Sequence, residues 1–128
     1  MLLLSQDHTQ GTSPGYPTPR ATVADNDLAV ARVVEAISKS RYWKESAIFV
    51  TEDDSQDGTD HVDGHRTVGL AISPYVKHGH VDSSFFSIVN MYRTMEQILG
   101  LSPLNRFDGA AEETIFTKSS PVKSMSLW

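Results

Sequence analysis

The sequence contains no cysteine among its 128 residues. The chain therefore forms no disulfide and offers neither a thiolate ligand nor a thiol nucleophile. Any metal ion would have to be held by oxygen and imidazole ligands. The missing cysteines leave the cellular compartment open.

Long apolar runs and an excess of positive charge are also missing. No run approaches the roughly 20 apolar residues that a membrane-spanning helix requires, and Met1-Leu2-Leu3-Leu4 is too short for a signal-peptide core. Sixteen acidic residues against eleven basic ones give a net charge of -5. Without a basic stripe, the chain is not expected to bind nucleic acid.

What the chain does contain is the composition of a soluble packed domain, with 39% apolar and 21% charged residues. We expect residues 1–117 to form one domain or part of one. Residues 118–128 are rich in serine and are predicted to form a disordered tail.

The apolar pattern predicts alternating strands and helices. Two short apolar runs are typical of buried strands: Met1-Leu2-Leu3-Leu4 and Ala47-Ile48-Phe49-Val50. A third run, Val68-Gly69-Leu70-Ala71-Ile72, predicts another strand.

Helical spacing of apolar residues predicts one helix from about Thr22 to Ser40, with Thr22 and Asp25 as a capping box. The same spacing predicts a second helix through Phe85 and Leu99. Ser83 or Ser84 would cap the second helix, and Gly100 would end it. Residues 110–116 would form a short helix or an edge strand. This alternation predicts an α/β fold with a mainly parallel sheet and flanking helices.

The stretch between the last two strands is dense in negative charge. Six carboxylates occur within twelve residues, together with His61 and then His65: Glu52, Asp53, Asp54, Asp57, Asp60 and Asp63. Crowded carboxylates repel one another unless a cation neutralises them. A mixture of carboxylate and imidazole suits zinc, manganese or iron, and calcium or magnesium if carboxylates dominate. An ordinary solvated surface loop is the alternative interpretation.

The same stretch resembles a known family. Thr51 to Val62 reads Thr-Glu-Asp-Asp-Ser-Gln-Asp-Gly-Thr-Asp-His-Val. It is similar to the loop of the phosphoesterase family that contains bacterial phospholipases C and acid phosphatases, within the alkaline phosphatase superfamily. Asp7-His8-Thr9 and Ser73-Pro74-Tyr75-Val76 also resemble family segments. Ser55 and Asp57 depart from the phospholipase pattern, which weakens the case for phospholipid substrates.

The resemblance implies a partial alkaline-phosphatase-like sandwich that hydrolyses phosphate esters with a divalent metal ion. Zinc is the expected ion, with manganese, iron or calcium as alternatives. The implied metal ligands are Asp53, Asp54, His65 and Asp7. His61 would be catalytic, while His8 and Arg66 would bind the phosphate-ester substrate. His61 could instead cap the loop, and His65 could orient a ligand rather than bind the ion.

The family resemblance also implies that this chain lacks the nucleophile. Nothing in it matches the segment that supplies the nucleophile in similar proteins, so we expect a fragment that lacks the N-terminal half of its domain and is inactive alone. A periplasmic or secreted location would follow from the resemblance. The alternatives are a non-catalytic metal-binding or interaction module and a sulfatase-like hydrolase of the same superfamily.

Overall fold

The computed structural model describes residues 1–4, 8, 10–52 and 66–112. These residues form three α-helices, α1 (Pro19–Ser38), α2 (Ile88–Leu99) and α3 (Arg106–Ala110), and a single 3-10 turn at Trp43–Glu45. Two strands, β1 (Ile48–Thr51) and β2 (Gly69–Ile72), pair with each other. The presence of both helices and strands confirms the predicted α/β mixture.

The chain divides into two compact units, Met1–Glu45 and Ser46–Trp128. The predicted boundary at residues 117 and 118 lies outside the described residues.

The first unit is built around α1, which begins earlier than predicted. The side chain of Thr18 accepts a hydrogen bond from the Ala21 amide at 3.3 Å, and Pro19 occupies the first helical position. Proline suits that position because its missing N–H would have no helical partner there. The predicted capping box at Thr22 is wrong. Thr22 is buried inside the helix, and its hydroxyl donates to the carbonyl oxygen of Pro19 at 2.8 Å.

The predicted strand at residues 1–4 is also wrong. These residues have no regular structure, and the side chains of Met1, Leu2 and Leu3 are exposed. A strand requires a neighbour to satisfy its backbone hydrogen bonds, and the described part of this unit contains no second strand.

The second unit contains the strand pair. β1 and β2 run antiparallel, with Ile48 opposite Ile72 and Thr51 opposite Gly69. The prediction of a parallel pairing is wrong for these two strands. Antiparallel neighbours can be joined by a direct return of the chain, whereas parallel neighbours need a long crossover that is usually helical. The residues between them, 52–68, carry no helical apolar pattern.

Helix α2 is defined at both ends by local signals. Ser87 and Asn90 form a capping box, in which the Ser87 amide donates to Asn90 Oδ1 at 2.7 Å. The predicted caps at Ser83 and Ser84 are therefore four and three residues too early. Gly100 ends the helix in the left-handed region at φ 67°, as predicted.

Helix α2 contacts β2 through the side chain of Met91. Apart from Pro74, Met91 is the one buried apolar side chain among the described residues, with 5% of its surface exposed. A Cβ atom added to Gly69 would lie 3.0 Å from the Met91 Cε. The glycine therefore makes room for the methionine, which brings α2 into contact with the strand that follows the acidic segment.

Helix α3 is short and is tied to α2. Its buried residue Asp108 accepts hydrogen bonds from the amides of Leu104 at 2.7 Å and Asn105 at 2.8 Å. The Asn90 side-chain amide donates to the carbonyl oxygen of Glu112 at 2.9 Å. Of the short helix or edge strand predicted at residues 110–116, only Ala110 lies in a helix, as the last residue of α3, and residues 111 and 112 have no regular structure. Residues 113–116 lie outside the described residues.

Candidate metal and phosphate site

The acidic segment leaves the strand pair and returns to it at the same end. Strand β1 ends at Thr51 before the segment, and β2 begins at Gly69 after it. These two residues are partners in the antiparallel register. Ile48, Phe49 and Val50 of β1 and Ile72 of β2 are β-branched or aromatic residues that favour extended backbone. The two ends of the segment therefore start from neighbouring points of the scaffold.

A side-chain hydrogen bond joins those two ends beyond the last paired residues. The Thr67 hydroxyl donates to Glu52 Oε2 at 2.7 Å, across fifteen positions of sequence. Glu52 is half-buried and Thr67 is exposed. The distance is typical of a hydrogen bond from a hydroxyl to a carboxylate. We call this pair the stem clamp.

The sequence did not predict the stem clamp. Glu52 follows the end of β1, and Thr67 precedes the start of β2. In a parallel pair the end of one strand and the start of the other lie at opposite edges of the sheet, so the predicted parallel pairing would have separated these two residues. Antiparallel pairing places them side by side. One sequence feature could have predicted the antiparallel pairing: the acidic segment between the two strands has no helical apolar pattern, whereas a parallel pair needs a crossover that is usually helical.

Five predicted site residues lie outside the described residues. They are the predicted metal ligands Asp7, Asp53, Asp54 and His65, and the predicted catalytic residue His61. Their roles therefore stay predictions. In the sequence, Asp53 directly follows the clamp residue Glu52, and His65 directly precedes Arg66.

Both predicted substrate-binding residues are described. His8 is exposed and belongs to the first unit. Arg66 is exposed and belongs to the second, where it precedes the clamp residue Thr67. An exposed guanidinium at this point is accessible to an anion in solvent, and its planar fork suits the oxygens of a phosphate.

Titratable groups in the described ranges do not form a metal-ligating cluster. Within residues 1–4, 8, 10–52 and 66–112, no group of three or more His, Asp, Glu or Cys side chains is placed to hold a metal ion. His78 and His80 are exposed in the turn after β2. Nearby, hydrogen bonds from Ser84 hold the pKa of Asp82 below its ordinary value, since they favour the ionised carboxylate.

The Ser73-Pro74-Tyr75-Val76 segment has a structural role at the opposite end of β2. The buried Ser73 hydroxyl donates to the carbonyl oxygen of Ser46 at 3.0 Å. It also accepts from the Tyr75 amide at 3.3 Å. These bonds fix the turn that follows the strand and hold it to Ser46, which lies two residues before β1.

An open apolar groove of about 510 Å³ lies between α2 and α3. Phe107 and Leu104 border it with 82% and 89% of their surfaces exposed. Glu96 lies in its wall and is 7% exposed, and its Oε2 makes no hydrogen bond within the described part of the chain. Arg93 Nη1 lies 3.5 Å from that oxygen, which partly offsets the cost of burying the charge.

Comparison with known proteins decides the family. The model of the Phosphoesterase family matches residues 10–102, which is more than half of the chain. The chain belongs to the Phosphoesterase family. The match spans α1, both strands, the acidic segment and α2. No curated protein and no solved structure matches the chain significantly.

Family membership confirms the resemblance read from the acidic segment and assigns the chain to hydrolases that act on phosphate esters. The matched region contains Asp53, Asp54, His61, His65 and Arg66, while Asp7 and His8 precede it. Among the described residues, no helix combines the length and apolar character that crossing a membrane requires.

Proposed function

We propose that the chain carries the divalent-metal centre of a phosphate-ester hydrolase, with Asp53, Asp54 and His65 as ligands and Asp7 as a further one. The observation that carries this proposal is the family match across the acidic segment, whose two ends meet at the stem clamp. Carboxylate oxygens and imidazole nitrogens fit zinc best, and manganese, iron or calcium are the alternatives.

The residues around the ion would bind and orient the substrate. Arg66 would contact the phosphate oxygens, with His8 as a second contact, and His61 would act on the reacting group. When bound, the metal ion lowers the pKa of the attacking hydroxyl or water and neutralises charge on the phosphoryl group. The exposure of Arg66 supports a role in contacting a soluble anion.

Phosphate binding tests this proposal directly. Inorganic phosphate should bind the zinc-loaded chain and should bind the metal-free chain far more weakly. Arg66→Ala should weaken phosphate binding while leaving zinc binding unchanged, because Arg66 contacts the anion rather than the ion. Arg32→Ala, which removes an exposed arginine of α1, is the matched control. Equal phosphate binding with and without zinc would contradict the proposal.

We further propose that catalysis needs polypeptide beyond these residues and that a partial alkaline-phosphatase-like sandwich is completed by it. The apolar exposure of α2 and α3 supports this, because Phe107, Leu104 and Leu99 offer a surface suited to packing against protein. The antiparallel pair is compatible with such a sheet, since antiparallel edge strands often accompany parallel ones.

The activity of the isolated chain tests the second proposal. The purified, zinc-loaded chain should bind phosphate but should not turn over an aryl phosphate such as p-nitrophenyl phosphate. Robust turnover that is abolished by Asp53→Ala would prove this second proposal wrong, while supporting the metal centre.

A further inference from the structure

We propose that the open groove between α2 and α3 is the surface through which two copies of this chain form a twofold-symmetric dimer, with Phe107 of each copy inserted into the groove of the other. This interface is independent of the proposed metal centre, because it uses only residues 89–108, all of which the structure describes. In the isolated chain, the second copy takes the place of the polypeptide that would complete the sandwich.

The shape of this face suits pairing with a copy of itself. Phe107 and Leu104 project at the border of the groove, with 82% and 89% of their surfaces exposed. The groove beside them has a volume of about 510 Å³, within the range of pockets that hold small organic molecules, so it can accept an aromatic ring. A face that carries both a projecting side chain and a groove can pair about a twofold axis, where each contact is made twice.

The exposed apolar area of this face is sufficient for a weak dimer. The large apolar side chains that line the groove and are at least half exposed are Tyr92, Leu99, Leu101, Leu104 and Phe107. Covering them would bury on the order of 600 Å² per chain, or about 1,200 Å² in the pair. That total is at the lower end of the range for specific interfaces, so we expect a dissociation constant on the order of 10 μM.

The charges on this face also fit a second copy. Glu96 lies in the wall of the groove, is 7% exposed, and its Oε2 makes no hydrogen bond within the described part of the chain. Asp108 is a second buried carboxylate in the same wall, and Arg93 Nη1 lies 3.5 Å from the Glu96 oxygen. The exposed Arg106 directly precedes Phe107, so insertion of Phe107 brings a further cation toward the partner's acidic wall. Opposite charges placed in this way set the register of two partners.

The oligomeric state of the metal-free, 128-residue chain tests the dimer. Sedimentation equilibrium between about 1 and 100 μM should show only monomer and dimer, with a dissociation constant on the order of 10 μM. A chain that stays monomeric throughout this range would overturn the proposal and leave the groove to other polypeptide. Assemblies larger than a dimer would also overturn it, because twofold pairing is closed.

Two phenylalanines separate specific pairing from general stickiness. Phe107→Ser removes the inserted ring and should weaken the dimer about tenfold or more, while the backbone amide that donates to Asn105 Oδ1 is kept. Phe85→Ser is the matched control, since Phe85 is 96% exposed but does not line the groove, and it should leave the dissociation constant unchanged. Helical circular dichroism confirms that both variants are folded. Equal losses would overturn the proposal, because they would indicate non-specific association of apolar surface.

A double-variant cycle tests the charge contact. Arg106→Gln and Glu96→Gln should each weaken the dimer about threefold to tenfold, and the double variant should be no weaker than the worse single variant, because the two charges act together. Arg32→Gln, which changes an exposed arginine of α1, should have no effect. Additive losses would contradict the proposed dimer, because the two charges would then not meet across the interface.

Discussion

The two long helices differ in what holds them. Helix α1 has 20 residues and buries only Thr22, whereas α2 has 12 residues and buries Met91, Thr94 and Glu96. The contacts of helix α1 described here are local: the Thr18 cap and a solvent-screened ion pair between the exposed side chains of Glu35 and Lys39. Helix α2 adds a contact with β2. Tertiary packing therefore supports the region from which the acidic segment emerges.

Truncating the buried methionine should have the largest effect on stability. Met91→Ala leaves a cavity beside Gly69 and should cost about 2–5 kcal/mol, as expected for a buried large-to-small substitution. Leu99→Ala on the same helix removes a side chain that is 68% exposed and should cost less than about 1 kcal/mol. Amide hydrogen exchange in α2 measures both. Equal effects would contradict the claim that the buried Met91 contact supports α2.

Acid should weaken the second unit through Asp108. Burial raises the pKa of this carboxyl, but the hydrogen bonds from the Leu104 and Asn105 amides outweigh burial and set the pKa below its ordinary value of 3.8. Because the folded pKa is below the unfolded one, Asp108 stabilises the fold above about pH 4 and loses that contribution as the pH falls through the folded pKa.

A substitution isolates this effect. Asp108→Asn should flatten the loss of stability between about pH 4 and pH 2, as followed by the helical circular dichroism signal. Asp27→Asn, which changes an exposed residue of α1, should leave the acid profile unchanged. An unaltered profile in Asp108→Asn would show that the carboxylate contributes nothing.

Removing the two helix caps should cost similar amounts but act in different places. Ser87→Ala and Thr18→Ala should each cost about 1 kcal/mol, because each leaves a helical amide without its acceptor. Amide exchange should rise in the first turn of α2 for Ser87→Ala and in the first turn of α1 for Thr18→Ala. Threonine or serine at either position should restore protection. A rise in the wrong helix would contradict the assignment of the caps.

The smallest effect should come from the ion pair of α1. Glu35 and Lys39 are both exposed, with side chains that are 57% and 63% accessible. Hydrogen bonding to Lys39 lowers the pKa of Glu35, followed by the charge of Lys39, yet solvent screens such pairs strongly. Lys39→Met should therefore leave the thermal midpoint unchanged, with or without added salt. A clear drop at low salt would show that α1 depends on this pair.

The sequence predicted features that depend on local chemistry. The apolar runs located both strands to within one residue, and helical spacing together with Gly100 located the end of α2. The helix starts were missed, because Thr18-Pro19 and Ser87 compete with other capping residues nearby. Strand direction was missed because a short apolar run does not reveal its partner's direction.

The candidate site was predicted by its residue types, not by its geometry. The density of Asp and His predicted a metal site in the acidic segment, which lies within the matched residues 10–102; the roles of its residues stay predictions. The hydrogen bond between Glu52 and Thr67 was missed since it depends on the direction in which β2 runs beside β1. Side-chain contacts across a strand pair follow from register, which composition does not encode.

Metal stoichiometry tests the central claim most directly. Calorimetric titration of the metal-free chain with zinc should give one tight site per chain, and Asp53→Ala, Asp54→Ala and His65→Ala should each weaken it by about a hundredfold or more. The exposed control variants Asp25→Ala and His78→Ala should bind as the native chain does. If all five variants bind zinc with equal affinity, the acidic segment is an ordinary solvated loop and the proposed metal centre does not exist.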